Sequence, residues 1–146
     1  MTPTSSLDVG FTPRNKEGYA DYTAFQALKN AQRAEFGYRP LVYICSPYSG
    51  DTVANVEVAR RICAHAVEAK KIPLAPHLLF PQFMNDENPD ERELAMFFNR
   101  VLLSHCEAVW VYTPRVSAGM RLEIDWAHAL ELPIRYIDAD FSEVVL

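Results

Sequence analysis

The sequence predicts an α/β domain, a parallel sheet of four to five strands flanked by helices, with a helical arm at its N-terminus. Three observations predict it. Short apolar runs of strand length lie at 40–46, 72–76, 107–113 and 133–138. Between them run longer stretches with apolar residues at helical spacing. The two types alternate along the chain, as parallel strands joined by helical crossovers do. The expected division is an arm and helix over 1–39 and the α/β domain over 40–146, with no internal repeat or low-complexity tract.

Residues 1–18 are polar and irregular, with Pro3, Gly10, Pro13 and Gly18, and read as a loose arm. Tyr22, Phe25, Leu28 and Phe36 then recur at near-helical spacing, predicting a helix from about Thr23 to Glu35 that ends near Gly37. The run "PLVYICS" is apolar without alternation, which suits a strand buried on both faces. It stops at the turn cluster "SPYSGD". A long helical pattern follows from Thr52, with Val53, Val56, Ala59, Ile62 or Cys63, and Ala66 on one side. "IPLAP" is a short second strand closed by Pro76. Residues 77–90, with Pro81, Pro89 and several acids, predict a long loop of the kind that often carries function. Helix 91–106 should bury Leu94, Phe97 or Phe98, Val101 and Leu102. Strand 107–113, helix 117–132 with an apolar stripe of Leu122, Trp126 and Ala129, and strand 133–138 complete the order.

Composition narrows the function. The chain has 146 residues, enough for a real core. Its net charge is −5, and no basic patch of the kind nucleic-acid binding needs is visible. No run approaches the ~20 apolar residues of a membrane span. The start "MTPTSSLDVG" lacks the features of a signal peptide, so a cytoplasmic protein is expected. Cys45, Cys63 and Cys106 are widely spaced among apolar neighbours, which predicts buried free thiols and no metal site.

In an open parallel sheet, ligands bind at the carboxyl ends of the strands. The loop after the first strand holds Ser46, Pro47, Tyr48, Gly50 and Asp51. His77 follows the second strand, and the loop after the third holds Ser117, Gly119 and Met120. Two of these loops feed helix N-termini, where free N–H groups and the dipole favour an anion. Each residue admits two readings. Ser117 fits a helix cap or a phosphate ligand, and Asp51 fits a cap or a sugar contact. Glu123 lies ~9 Å along the helix axis from Ser117; it fits a solvated helix position or a group facing a sugar. Arg92, Met96 and Asn99 share a face of their helix, and Arg92 fits a phosphate contact or a surface ion pair. His77 fits a catalytic acid, a stacking group or a packed side chain, and Tyr48 a sugar or base contact or a turn cover. Phe80, Phe83 and Met84 fit a base pocket or the core.

GxGxxG, GxxxxGK[ST], HExxH and GxSxG are all absent. That counts against dinucleotide oxidoreductases, P-loop NTPases, zinc proteases and serine hydrolases. What is present, in order, is "YICSPYSGD", "PLAPHLLFPQF", "CEAVWVY" and "SAGMRLEI". Over about residues 40–138 this series resembles the nucleoside 2-deoxyribosyltransferase-like superfamily, in particular a branch of small bacterial and phage proteins. The resemblance implies a flavodoxin-like (Rossmann-like) fold and action on a nucleoside or nucleotide. Members transfer bases on 2-deoxyribose or hydrolyse the N-glycosidic bond of nucleoside 5′-monophosphates, without a cofactor or metal.

By the same resemblance, Glu123 matches the catalytic glutamate, and Ser117, beside Gly119, the phosphate-binding serine. Ser46, Tyr48, Gly50 and Asp51 match the sugar- and phosphate-contacting loop. Members often complete their sites across a homo-oligomer interface, which implies at least a dimer. The sequence departs from the family at one place. Better-known members carry an aspartate in the helix before the third strand; the matching residue here is Asn99, eight residues before Glu107. An amide positions a hydroxyl or a base but supplies no proton as an acid does.

Overall fold

A computed structural model of the chain describes residues 22–146. The arm expected over residues 1–18 lies outside the described residues. These fall into two units divided between Tyr38 and Arg39. The first contains α1 (Tyr22–Phe36), one residue longer at each end than its apolar spacing predicts. Within it Gln26 donates to Asn30 at 2.9 Å and the Lys29 ammonium lies 5.3 Å from the Phe25 ring, both pairs four residues apart on one face. Gly37 follows at φ +78, a left-handed conformation that glycine adopts without strain.

The second unit is the α/β domain. Its elements are β1 (Leu41–Cys45), α2 (Thr52–Glu68), β2 (Ile72–Leu74), α3 (Pro89–Ser104), β3 (Ala108–Tyr112), α4 (Ala118–Ala129) and β4 (Ile134–Ile137). The four strands form one parallel sheet in the order β2-β1-β3-β4. β1 is central. Val42 and Ile44 pack with Ile62 and Ala66 of α2 on one face, and Tyr43 and Cys45 pack with Leu103 of α3 and Met120 and Ala127 of α4 on the other. A strand covered on both faces has no reason to alternate polar and apolar residues, which explains the unbroken run in the sequence. The chain steps from β1 to β2, then crosses back over β1 to reach β3. Strand order therefore reverses between β1 and β3, and a crevice opens at their carboxyl ends.

Each helix of this unit starts at a side-chain cap. Asp51 accepts from the Ala54 amide at 3.2 Å, and Ser117 from the Met120 amide at 3.2 Å. Asn88 accepts from the amides of Asp90 and Glu91, with Pro89 in the first turn. α3 thus begins two residues before its expected start, because "NP" is a cap followed by a first-turn proline. The loop expected over 77–90 contains two 3₁₀ turns, Pro76–Leu78 and Phe80–Gln82.

The helix faces need correction. Leu94 and Val101, expected in the core, are 46% and 42% exposed, and of the expected pair it is Phe98 that turns partly inward while Phe97 is 59% exposed. The inward residues of α3 are Asn99 and Leu103, because its inner flank lines the crevice as well as the core. Leu122 and Ala129 of α4 also face outward, and the buried residues there are Met120, Glu123 and Ala127, at spacings of three and four.

Beyond β4 the chain turns back. Asp138 accepts from the amides of Asp140 at 2.9 Å and Ser142 at 3.0 Å, and Phe141 sits at φ +64. The Phe141 ring packs 5.7 Å from His65 of α2, which also meets Trp110 of β3 at 6.1 Å. Glu143 then bridges antiparallel to Ile137, and the Val144 amide donates to the Tyr136 carbonyl at 2.7 Å. No described helix is long and apolar enough to cross a membrane.

Candidate functional site

Glu123 is the centre of the crevice. α4 starts at the Ser117 cap, and less than two turns later its inward stripe presents Glu123 between Met120 and Ala127. The residue is 2% exposed. Of the two readings open in the sequence, the solvated one fails. The Tyr43 hydroxyl donates to Oε2, and Cys45 Sγ lies 3.4 Å from Oε1. Burial pushes the carboxyl up from the ordinary 4.5 to about 7, against the pull of the Tyr43 and Cys45 hydrogen bonds. Burial, with the neighbouring Glu123, also raises Tyr43 and Cys45 well above their usual values, so both keep their protons as donors.

The cleft above Glu123 has a cavity volume of about 160 Å³ and opens to solvent at its mouth. Its α4 side consists of Ser117, Gly119, Met120 and Glu123, and its α3 side of Arg92, Met96 and Asn99. Asn99 is 4% exposed; its Oδ1 has no hydrogen-bond partner among the described residues, and its Nδ2 meets only the Met96 sulfur at 3.8 Å. The third wall is Tyr48 stacked on His77, ring centroids 5.5 Å apart at 24°. Burial lowers the His77 pKa, opposed by its hydrogen bond to the Ser46 backbone and the charge of Asp86. At neutral pH its ring is uncharged. Phe80 and Met84 line the cleft, and Phe83 is 65% exposed.

The loop after β1 is held from below. Asn55 of α2, nearly buried, donates to the carbonyls of Tyr48 and Ser49, both at 3.0 Å. Ser46 and Pro47 are buried beneath the loop and do not line the cleft, and Ser46 Oγ has no hydrogen-bond partner among the described residues. Gly50 is exposed at φ +96. Its positive φ is what calls for glycine; a Cβ there would lie 2.7 Å from an Arg115 terminal nitrogen, the mobile end of a long side chain that can move aside. Arg115 Nη2 also lies 3.5 Å from the Ser49 carbonyl, and the side chain makes no ion pair among the described residues. Asp51 caps α2 and does not line the cleft.

Eleven residues singled out in the sequence therefore line one cleft: Tyr48, His77, Phe80 and Met84, then Arg92, Met96 and Asn99, with Ser117, Gly119, Met120 and Glu123. Tyr43, Cys45 and Arg115 were missed. The first two had a signal, a hydroxyl and a thiol two residues apart in a core strand and so on one face of it. Among the described residues no three His, Cys, Asp or Glu side chains group as a metal site requires.

Residues 40–137, the whole span from β1 to the end of β4, match a protein family described as "Domain of unknown function (DUF7768)". The chain belongs to the DUF7768 family. No curated protein sequence matches it. Among solved structures, the DUF7768 fold is similar to the 2-deoxyribosyltransferase of the psychrotolerant bacterium Bacillus psychrosaccharolyticus. The two share 9% identity over 73% of this chain and 77% of that one, with a TM-score of 0.57. The likeness is one of fold, and a fold hosts many activities, so function has to be argued from the site.

Proposed function

We propose that this DUF7768 domain binds a nucleoside or its 5′-monophosphate and cleaves or transfers the N-glycosidic bond through Glu123. One observation carries the reading. A single carboxylate, buried at the base of a cleft and held by two donors, has a pKa near neutrality.

Breaking the bond builds positive charge at C1′ of the sugar. In its ionised form Glu123 attacks C1′, the C–N electron pair leaves with the base, and a glycosyl ester forms. Water, or a second base, then attacks C1′ and frees the carboxylate. The departing nitrogen needs a proton or donors that stabilise its charge. We assign that wall to Tyr48 and His77, since Asn99 has no acidic proton. We assign the phosphate side to Ser117 and Gly119 at the N-terminus of α4, and to Arg115, whose guanidinium lies over Gly50 in the loop after β1.

Asn99 also supports a second reading, a binding module that keeps the pocket without turnover. A homo-oligomer fits either reading, and the exposed row of Leu94, Phe97 and Val101 on α3 is the face proposed for it. The test is to incubate the protein with matched nucleosides and 5′-monophosphates and to measure free base by chromatography. Release supports the enzyme; tight binding without release supports the module. Neither binding nor release from the whole panel defeats both.

A further inference from the structure

Tyr43 and Cys45 are two residues apart on β1, so both side chains leave the sheet toward α4. Between them they reach both oxygens of one carboxylate. We infer that Cys45 is a positioning residue for Glu123: its thiol donates to Oε1 and, with Tyr43 on Oε2, fixes the plane in which the carboxylate faces the cleft. The inference rests on the reading of Glu123 as the acting group.

The terminal torsion of a glutamate is soft, so a single donor leaves the carboxylate free to turn about that bond. A second donor on the other oxygen removes this freedom. The kind of donor matters as well. Hydroxyls on both oxygens would draw charge from both, since hydrogen bonds to ions are strong. A thiol is a weak donor. It orients Oε1 while leaving that oxygen the more basic of the two, and so the one to meet C1′. The Met120 carbonyl is the thiol's other acceptor, at 3.7 Å. An ionised Glu123 takes the S–H proton in preference to that neutral carbonyl.

The groups that face Glu123 are few. β1 supplies Tyr43 and Cys45, and Cys106, in the turn between α3 and β3, acts on Tyr43. α3 supplies the neutral Asn99. His77 lines the same cleft beyond β2, as do Asp86, Glu91 and Arg92. Among the described residues only Tyr43 and Cys45 hydrogen-bond the carboxylate, so removing the thiol leaves Tyr43 as its one donor.

The decisive experiment reads the Glu123 carboxyl directly. Carbon NMR of protein labelled at glutamate carboxyls, with the signal assigned by its loss in Glu123→Gln, gives the titration midpoint. In Cys45→Ala the midpoint is expected to rise by on the order of half a pH unit. In Cys45→Ser, whose hydroxyl is the stronger donor, it is expected to fall below that of the unmodified protein. Base release in Cys45→Ala is expected to drop on the order of tenfold in kcat with KM little changed, as for a misplaced catalytic group, with partial recovery in Cys45→Ser. A merely packed thiol predicts lower thermal stability with the midpoint unmoved in both variants, and that result overturns the inference. If alanine prevents folding, serine carries the test alone: a midpoint at or above the unmodified value overturns it. Midpoints that shift as expected in a protein that releases no base would sink the glycosidic reading and leave the positioning role standing.

Discussion

Tyr43 on β1 donates its hydroxyl to Oε2 of Glu123 on α4, 80 residues further along the chain. This bond joins the central strand to the helix that frames the cleft, and it does so through the carboxylate itself. Strand and helix therefore hold this carboxylate from opposite sides, and its ionisation is coupled to the packing of the core.

Glu123→Gln separates chemistry from stability. The change keeps size and a hydrogen-bonding acceptor but removes the charge. Base release is expected to fall at least ~100-fold, as when a nucleophile is lost. Stability should move the other way. The folded carboxyl titrates near 7 and the unfolded one near 4.5. The folded state thus holds the extra proton in this window. The stabilisation of the neutral form is fully present below the unfolded value and is lost as pH rises through the folded one. Melting of the unmodified protein should weaken from pH 5 to 8 by on the order of 3 kcal/mol from this group. The Gln variant should show a flatter profile and the higher melting temperature at pH 8. Parallel profiles would mean that Glu123 is not buried as a carboxyl.

The phosphate side is tested by a difference. Calorimetry should find a 5′-monophosphate bound more tightly than its nucleoside. Ser117→Ala and Arg115→Ala should each narrow that gap by ~1–3 kcal/mol. Ser117 also caps α4, so its removal should lower stability by about 1 kcal/mol, an effect that Arg115→Ala should not share. Equal affinity for nucleoside and nucleotide would assign the cleft to unphosphorylated ligands.

Asn99→Asp divides enzyme from binder. In a slow glycosidase the new carboxyl restores an acid beside the cleft, and base release should rise. In a binding module it adds a nearly buried charge close to Glu123, so nucleotide affinity should fall with no turnover gained. No change in either measurement would show that Asn99 does not meet the ligand.

The apolar row on α3 is the proposed contact between copies. Phe97 is 59% exposed, so Phe97→Glu should leave the fold intact. Sedimentation should find a dimer or larger in the unmodified protein and a monomer in the variant. A monomeric unmodified protein at micromolar concentration removes this proposal.

The sheet was legible because its strands are short apolar runs between helical patterns, and that order has few solutions. The cap at Ser117 and the acid six residues later were legible too, since both lie within one helix. Tyr43 and Cys45 were hidden for a physical reason. A strand buried on both faces is apolar throughout, so the one mark of the two residues that meet the site is a hydroxyl and a thiol two positions apart. Arg115 was hidden because its contact with Gly50 joins two loops far apart in sequence. α3 misled in the opposite direction. Leu94, Phe97 and Val101 point outward, while the amide of Asn99 takes the inner face beside the cleft.

The returning segment after β4 has a consequence for how copies can meet. At one margin of the sheet, Glu143 and Val144 occupy the hydrogen-bonding side of β4. At the other, β2 is three residues long and carries Pro73, which has no N–H to offer a neighbour. Neither margin can template a further strand. Growth by strand addition is blocked at both ends, and any association is left to the helical faces. Cutting the chain after Ile137 should therefore turn a well-behaved protein into one that aggregates through its sheet, even with the cleft untouched.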